Sequence, residues 1–472
     1  MEAQLFTLVP ARTIPDSSDG IQPVQSSEKE VKATEDKQGK QKPVETAKLA
    51  KDIELGRELT ASNSYPEGGL EAWLCVLGSF FMLLSTFGFM VSIGILQDYW
   101  RVHQLKGYSA RDIGWIGATY TYLALALGFL VGPLFDRYGP RTLNLVGSVV
   151  YIICIFVLGE CEEYWHFMLC LGVAGGVSVA LLITSSVSAI SHWFDKYRGR
   201  ATGVALAGNS VGGTFIPLLM RATLPRYGWA WSMRILGFAI LLCLIMGNIF
   251  VKGRLKSITV SAATSPRKIR FLSWGLFKDL RFTFLTVTIF GIEVVLFGGL
   301  AVLPTYATIQ GYSPETGFYL ISVLNGVSCL GRFLPGLLSD YTGRFNMFLL
   351  TIILTLVVML TVWLPFGDTS LVALYVFSAL FGFGTGSWMA MVPVCIGQLC
   401  RTEQFGEYWG TSYFFASMAT LVCIPVGGQL VESSGSKLTA TFFSIVLAVS
   451  LATFVVSRWA CLEWRWRWIV KI

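Results

Sequence analysis

From residue 66 onward the chain alternates between long apolar runs and short polar breaks. The length of each run matches a membrane crossing, which takes about 20 apolar residues in helical form. Runs of that size fall at 73–97, 112–133, 142–159, 165–189, 200–221 and 232–251, and again at 282–304, 316–338, 346–366, 370–393, 408–430 and 437–457. A hydrophilic stretch, 252–281, separates the two sets. Residues 1–65 are rich in Lys, Glu, Gln, Ser and Thr and nearly free of aromatics, so they hold too little apolar surface to fold and predict a disordered tail. Residues 458–472 alternate Trp with Arg and predict an interfacial anchor or a frayed tail. The pattern predicts an all-α membrane protein with twelve transmembrane helices in two six-helix halves, 66–251 and 282–457. Glycines such as Gly172, Gly175 and Gly176, or Gly382, Gly384 and Gly386, would let helices approach closely in lipid and bend.

Composition agrees. The 472 residues are 54% hydrophobic and only 14% charged, against about 25% charged in soluble domains, and the mean hydropathy is +0.61. The net charge of +7 is no nucleic-acid signal, because the basic residues sit mostly in short loops between apolar runs. Three His and ten Cys show no metal-ligand spacing, so neither metal nor cofactor is expected; Cys75, Cys154, Cys243 and Cys423 fall inside apolar runs as small packing residues. The opening residues lack the apolar core of a cleaved signal peptide. No loop carries a nucleophile–base–acid set, so an enzyme is a poor fit.

Charge placement sets orientation, because Lys and Arg gather on the cytoplasmic side. Lys252, Arg254, Lys256, Arg267, Lys268, Arg270 and Lys278 in the central stretch, Lys196, Arg198 and Arg200 after helix four, and Arg458, Arg465, Arg467 and Lys471 at the end all fall on one side of a twelve-span chain. Both termini are therefore expected in the cytoplasm, with the cell membrane as default and an intracellular membrane such as the vacuole as the alternative. Arg221, Arg226 and Arg234, before helix six, depart from the rule.

One polar motif occurs twice. Gly132-Pro133-Leu134-Phe135-Asp136-Arg137-Tyr138-Gly139-Pro140-Arg141 follows helix two, and Gly336-Leu337-Leu338-Ser339-Asp340-Tyr341-Thr342-Gly343-Arg344 follows helix eight. The two Asp residues stand 204 positions apart. A loop duplicated in register implies two related halves, as in many secondary transporters. The pattern resembles the loop between the second and third helices of major facilitator superfamily transporters. The second copy departs from it, with Tyr341 in place of the first Arg and a shortened end. In that family the loop latches helix ends on the cytoplasmic side, so the resemblance implies gating roles for Asp136, Arg137, Gly139, Arg141, Asp340, Gly343 and Arg344, on the major facilitator fold.

Two further stretches narrow the resemblance. Pro66-Glu67-Gly68-Gly69-Leu70-Glu71-Ala72-Trp73 is similar to the opening signature of the monocarboxylate transporter family, though with Leu70 where an aromatic is usual. His192-Trp193-Phe194-Asp195-Lys196-Tyr197-Arg198-Gly199-Arg200, running on through Gly203, Gly208, Gly212 and Gly213, resembles its second signature. The long polar N-terminus and Leu224-Pro225-Arg226 look like the fungal branch. The resemblance implies movement of small organic acids, in some members proton-linked. The fungal branch also includes riboflavin carriers and exporters of secondary metabolites.

Ionisable residues within spans are functional candidates, because charge in hydrocarbon is costly. Glu293 lies mid-span on helix seven with no Lys or Arg within two turns in sequence. It suits a proton carrier, or a neutral, hydrogen-bonded packing group. Arg332 on helix eight can grip a carboxylate through two parallel hydrogen bonds. In the monocarboxylate family an Arg at the matching place, four before the motif's Gly, has been linked to substrate, so the resemblance implies an anion-binding role. Pairing with Asp340 or Glu293, or reaching the interface, are its alternatives. The animal members' Lys on helix one is absent from Phe89-Met90-Val91-Ser92, and their Asp-Arg pair on helix eight is absent around Ile321, Ser322 and Asn325. That weakens lactate and pyruvate as cargo and leaves protons as partners unproven. Asn325, Trp388 on helix ten and Tyr120 on helix two remain as substrate-binding candidates; Tyr122, Tyr413 and Phe414 would suit an aromatic cargo as well as lipid packing. The expectation is a secondary active transporter of a small organic acid or related metabolite. Its alternatives are an efflux pump for a fungal secondary metabolite, vitamin uptake, or a transporter-like sensor.

Overall fold

The computed structural model describes residues 65, 67–254, 271–465 and 470. The expected 1–65 tail, save Tyr65, about half of the central stretch and residues 466–469 and 471–472 of the Trp/Arg-rich end lie outside the described residues. The described secondary structure is all helical, apart from turns.

The helices follow the apolar runs, usually extending a few residues past them. Helix α1 is Leu70–Val102. Helix α2 is built of Ala110–Ala126 and Gly128–Tyr138, the first opened by a Ser109–Asp112 capping box. Helix α3 is Pro140–Leu158, and α4 spans Tyr164–Ser191 with a wider π-helical stretch at Met168–Gly175. Arg198–Phe250 runs 53 residues and reverses at Gly228, whose φ of 72° is open to glycine at no steric cost. It is therefore two rods, α5 (198–227) and α6 (229–250). The ten-residue loop expected at 222–231 is helical on both sides of that single residue. The second half supplies α7 (Leu280–Ile309), α8 (Pro314–Thr342), α9 (Arg344–Phe366), α10 (Leu371–Leu399), α11 (Phe405–Ser434) and α12 (Ser436–Cys461). Ten described segments are long and apolar enough to cross a membrane. Dividing the longest at Gly228 and adding α11 gives twelve rods, the predicted architecture.

Small residues set the packing. Gly208 and Gly212 of α5 press on the backbone of α1, and a Cβ on Gly88 would come within 2.6 Å of Gly212 Cα. Gly331 on α8 faces the Phe383 backbone of α10, while Gly382 and Gly386 on α10 face Leu324 and Ser328 of α8. Lipid gives no hydrophobic drive between helices, so close backbone approach supplies the dispersion contact. The outward faces are apolar: Phe238, Leu242, Ile245 and Ile249 form an exposed stripe along α6 at helical spacing, a face that a bilayer would cover. Across the bundle α5 meets α8, and α2 meets α11.

Arg234 and Arg221 sit at the end where α5 turns into α6. Arg234 pairs with Glu160 at 2.7 Å and lies over the Trp231 ring, and Arg221 lies over Phe318. Two of the three arginines that break the orientation pattern thus have local partners. At the opposite end, Glu67 is tied to the α4–α5 loop, and the Val470 carbonyl accepts from Asn346 Nδ2, in the first turn of α9, at 2.8 Å.

Candidate functional site

The halves meet at two related latches. At the end of α2, the Asp136 carboxylate accepts from the backbone N–H of Gly406 at 3.0 Å and of Glu407 at 2.9 Å. These are the first turn of α11, whose own N-cap, Gln404, makes no side-chain cap bond. At the end of α8, the Asp340 carboxylate accepts from Gly199 N at 2.9 Å and Arg200 N at 3.0 Å. These open α5, where Tyr197 likewise provides no side-chain cap. Each half therefore lends an Asp to cap a helix of the other. An anion there satisfies orphan N–H groups and meets the positive end of the helix dipole. Hydrogen bonds to a charged group contribute about 1.5–3 kcal/mol each.

Glycine makes this reach possible. A Cβ on Gly132 would overlap the Gly406 carbonyl, one on Gly410 would overlap that of Gly128, and one on Gly336 would lie 2.7 Å from Gly199 O. Gly139 (φ 76°) and Gly343 (φ 101°) then turn each chain sharply into the next helix. Arg344 reaches back to the α4–α5 loop, donating to the Asp195 carbonyl and lying 3.5 Å from Asp195 Oδ1. Arg137 lies over the ring of its neighbour Tyr138. Arg141 faces a basic cavity beside the first latch.

The two signature stretches read from the sequence meet physically. Both Glu67 carboxylate oxygens accept from three successive N–H groups, those of Asp195 (3.0 Å), Lys196 (2.7 Å) and Tyr197 (3.1 Å). Trp73 packs edge-on against Phe194. The same loop carries Arg198, buried and held by Phe194 O at 3.1 Å.

Between the halves, midway along α5 and α8, lies a buried polar cluster. Ser210 and Ser328 share a hydrogen bond at 2.8 Å across the seam. Arg332, only 4% exposed, donates to Ser328 Oγ at 2.9 Å and to Met389 Sδ at 3.6 Å. Its Nε has no partner, and no described carboxylate forms an ion pair with it. Asn209 also donates to Met389. The pairing of Arg332 with Asp340 or Glu293, open from the sequence, does not occur: Asp340 is taken by the α5 terminus, and Glu293 lies on α7 against Tyr413 of α11. Glu293 is 2% exposed and its Oε2 has no partner. Trp388 Nε1 is buried and unpartnered, and Tyr120 is buried beside Tyr151. Asn325 lines an apolar groove at the α5–α8 seam with Ser210 and Thr214. Sequence reasoning missed Gly406, Asn209, Ser328 and Met389. The available signal was glycine spacing: Gly128/Gly132, Gly199/Gly203 and Gly406/Gly410 are each four apart, a helix-contact pattern.

The comparisons with known proteins agree with this architecture. Residues 75–419 match the family model of the Major Facilitator Superfamily. The chain is 34% identical to the riboflavin transporter of Saccharomyces cerevisiae, over 85% of this chain and 81% of that protein. It is 33% identical to the aspyridones efflux protein of Emericella nidulans, over 81% and 76% of the two chains. Among solved structures, a human organic anion transporter superposes with a TM-score of 0.66 at 15% identity, covering 82% of this chain and 100% of that one. The transporter FucP in its outward conformation gives 0.65 at 12%, covering 82% and 99%. The chain belongs to the Major Facilitator Superfamily and is a membrane-spanning transporter.

Proposed function

We propose that this transporter moves a small organic anion by alternating access, in the manner of the monocarboxylate branch, with Arg332 gripping the cargo's carboxylate. The observation that carries the reading is Arg332 itself. A guanidinium buried at the seam between the halves, with an unpartnered Nε and no described carboxylate paired to it, is costly unless an anion completes it. Ser328, Asn209 and Met389 fix its position, and Asn325, Trp388 and Tyr120 are proposed to shape the cargo's surroundings. Asp136 and Asp340, with Arg137, Gly139, Arg141, Gly343 and Arg344 around them, hold one end shut and release it when the halves rock. Glu293 carries the coupled proton. The latches face the cytoplasm, as do both termini, in the cell membrane.

Uptake and efflux of labelled monocarboxylates in vesicles, with and without an inward proton gradient, test this. Saturable flux is expected in the wild type, loss of it in Arg332→Ala, and loss of gradient dependence in Glu293→Gln. Absence of flux in vesicles holding folded wild type defeats the reading. A second reading is export of a fungal secondary metabolite, favoured by the relative named as an efflux protein and by the aromatic groups Trp388, Tyr120 and Tyr413. Accumulation of a metabolite in a deletion strain would decide for it. Solute flux of any kind argues against a sensor.

A further inference from the structure

On the side of the Ser210–Ser328 contact away from the latches, α5 and α8 frame a groove of about 380 Å³ on the outer surface of the bundle. Arg221 of α5, 5.6 Å from the ring of Phe318 on α8, bridges the seam again beyond it. Ser210 and Arg221 stand 11 residues apart, about 16 Å along the helix. Val211, Phe215 and Leu218 line the groove and are exposed at i, i+4 and i+7, on a face that a bilayer would cover. We propose that this groove is a lateral entry site: it takes an amphipathic carboxylic acid from the bilayer, seating the apolar body on α5 while the head turns inward past Asn325 toward Arg332. The inference rests on the anion reading above and deepens it, since the cargo becomes a carboxylate borne on an apolar body.

Asn325 is the first argument. It lines the groove, is only 7% exposed, and its side-chain amide makes no hydrogen bond among the described residues. It lies across the seam against Gly213 of α5, where a Cβ would stand 3.8 Å from Asn325 Cγ and where no side chain is present to pair with it. An amide offers two donors and a carbonyl acceptor, and burying them unmade is costly. Hydrocarbon cannot satisfy them, whereas a carboxyl head can. The second argument is the way inward. Ser210 lines the groove and shares its 2.8 Å hydrogen bond with Ser328, which accepts from Arg332 Nη1 at 2.9 Å. Two hydrogen bonds thus separate the groove from a buried guanidinium whose Nε has no partner. Ser328 in turn donates to the Asn325 carbonyl at 2.8 Å, so that Asn325, Ser328 and Arg332 form one linked set along α8.

The lining favours a cargo acid over an acyl chain of the surrounding lipid. Its polarity is graded: Ser210 and Asn325 stand at the inner end, while Val211, Phe215 and Leu218 form the outer wall. The Thr214 hydroxyl between them is committed to the Ser210 carbonyl at 3.0 Å. A carboxylate on an apolar body matches that order, and its charge meets a countercharge at the inner end; a neutral lipid tail matches the outer wall alone. Because α5 and α8 belong to opposite halves, rocking of the halves changes the width of the groove, which ties entry to the transport cycle.

The test uses the full chain in phosphatidylcholine nanodiscs. The probes are a decanoic acid carrying an alkyl diazirine and its methyl ester; after irradiation the labelled residues are mapped by mass spectrometry. The acid is expected to label α5 and α8 along the groove, to be displaced by unlabelled decanoate, and to exceed the ester by at least about tenfold, since a charged hydrogen bond separates them. Gly326→Leu plugs the groove: Gly326 lines it, a Cβ there meets nothing within 4 Å, and Leu favours helix over Gly. Labelling should fall about tenfold in that variant. Asn325→Leu should weaken both probes a few-fold, and Arg332→Gln should erase the preference for acid over ester. Equal labelling by acid and ester that decanoate does not displace would make the groove a seat for membrane lipid and overturn the proposal, as would unchanged labelling in Gly326→Leu. Propionate flux without displaceable labelling would defeat the lateral site and leave the anion reading standing. Displaceable labelling without flux of any carboxylate would keep the site and defeat the transport reading.

Discussion

Asp136 and Asp340 occupy equivalent places in the two halves and cap equivalent helices of the opposite half, yet their surroundings differ. Asp340 is 7% exposed and has a cation from the other half close by, Arg200 Nε at 3.7 Å. The Arg200 guanidinium lies between the rings of Tyr197 and Tyr341 and donates to the Tyr341 hydroxyl. Arg344 extends the network to Asp195, on the loop that Glu67 grips. Both latches share close backbone fit: Gly128 and Gly132 lie directly on Gly410 and Gly406, and Gly199 and Gly203 on Gly336 and the Arg332 carbonyl. Among the described contacts the second latch adds a cation and an aromatic ring to its backbone fit, so charge and aromatic substitutions there should separate it from the first.

Breaking the fit should have the largest effect. Gly132→Leu places a branched side chain where the Gly406 carbonyl stands, and overpacking of this kind costs about 1–3 kcal/mol or more. Flux should fall to background while the protein remains monodisperse, and fluorescence energy transfer between the halves should report the latch end open. Next come the carboxylates. Asn presents an N–H to one of the two backbone donors, so each Asp→Asn change loses at least one charged hydrogen bond. Asp136→Asn should lower the closed-to-open ratio about tenfold, and Asp340→Asn, which also strands Arg200, closer to a hundredfold. Equal effects would remove the distinction between the latches. Tyr341→Leu should cost about 0.5–1 kcal/mol through the lost cation–π contact, a few-fold in the same ratio, and leave the first latch untouched.

A separate effect, read in stability and not in the latch ratio, concerns pH and the first latch. His192 packs against Phe135, the neighbour of Asp136, and burial, with Arg254 and Arg198 nearby, pushes its pKa from 6.5 down to about 4. Between those values the unfolded chain binds a proton that the folded chain refuses, so stability falls as pH drops through about 6.5 and levels off below about 4. Melting temperature measured across pH 4–8 should show this slope in the wild type and a flatter one in His192→Gln.

Much of this was legible in the sequence. Apolar run lengths specify spans closely, because a bilayer makes backbone polar groups pair among themselves, and an unbroken run of about 20 apolar residues does so as a helix. The duplicated loop announced the two halves. Its partners were not readable, because a carboxylate that caps a backbone N–H imposes no side-chain identity on the helix it meets. Gly406 and Glu407 therefore carry no motif of their own. Tyr341 shows the reverse problem: in the sequence it was only a departure from the repeat, whereas in the fold it is the surface on which Arg200 rests. Arg332 and Glu293 were found by the cost of charge in a span, but their separation onto different neighbours depends on helix packing that no local pattern records.

The reversal at Gly228 bears on how the protein is made. One residue of turn leaves no slack for α5 to settle in the bilayer before α6 follows. The two must enter from the insertion machinery together, as a hairpin. Arg221, Arg226 and Arg234 then travel at its tip among 52 helical residues rather than on a lone segment, and Glu160, made before them, receives Arg234.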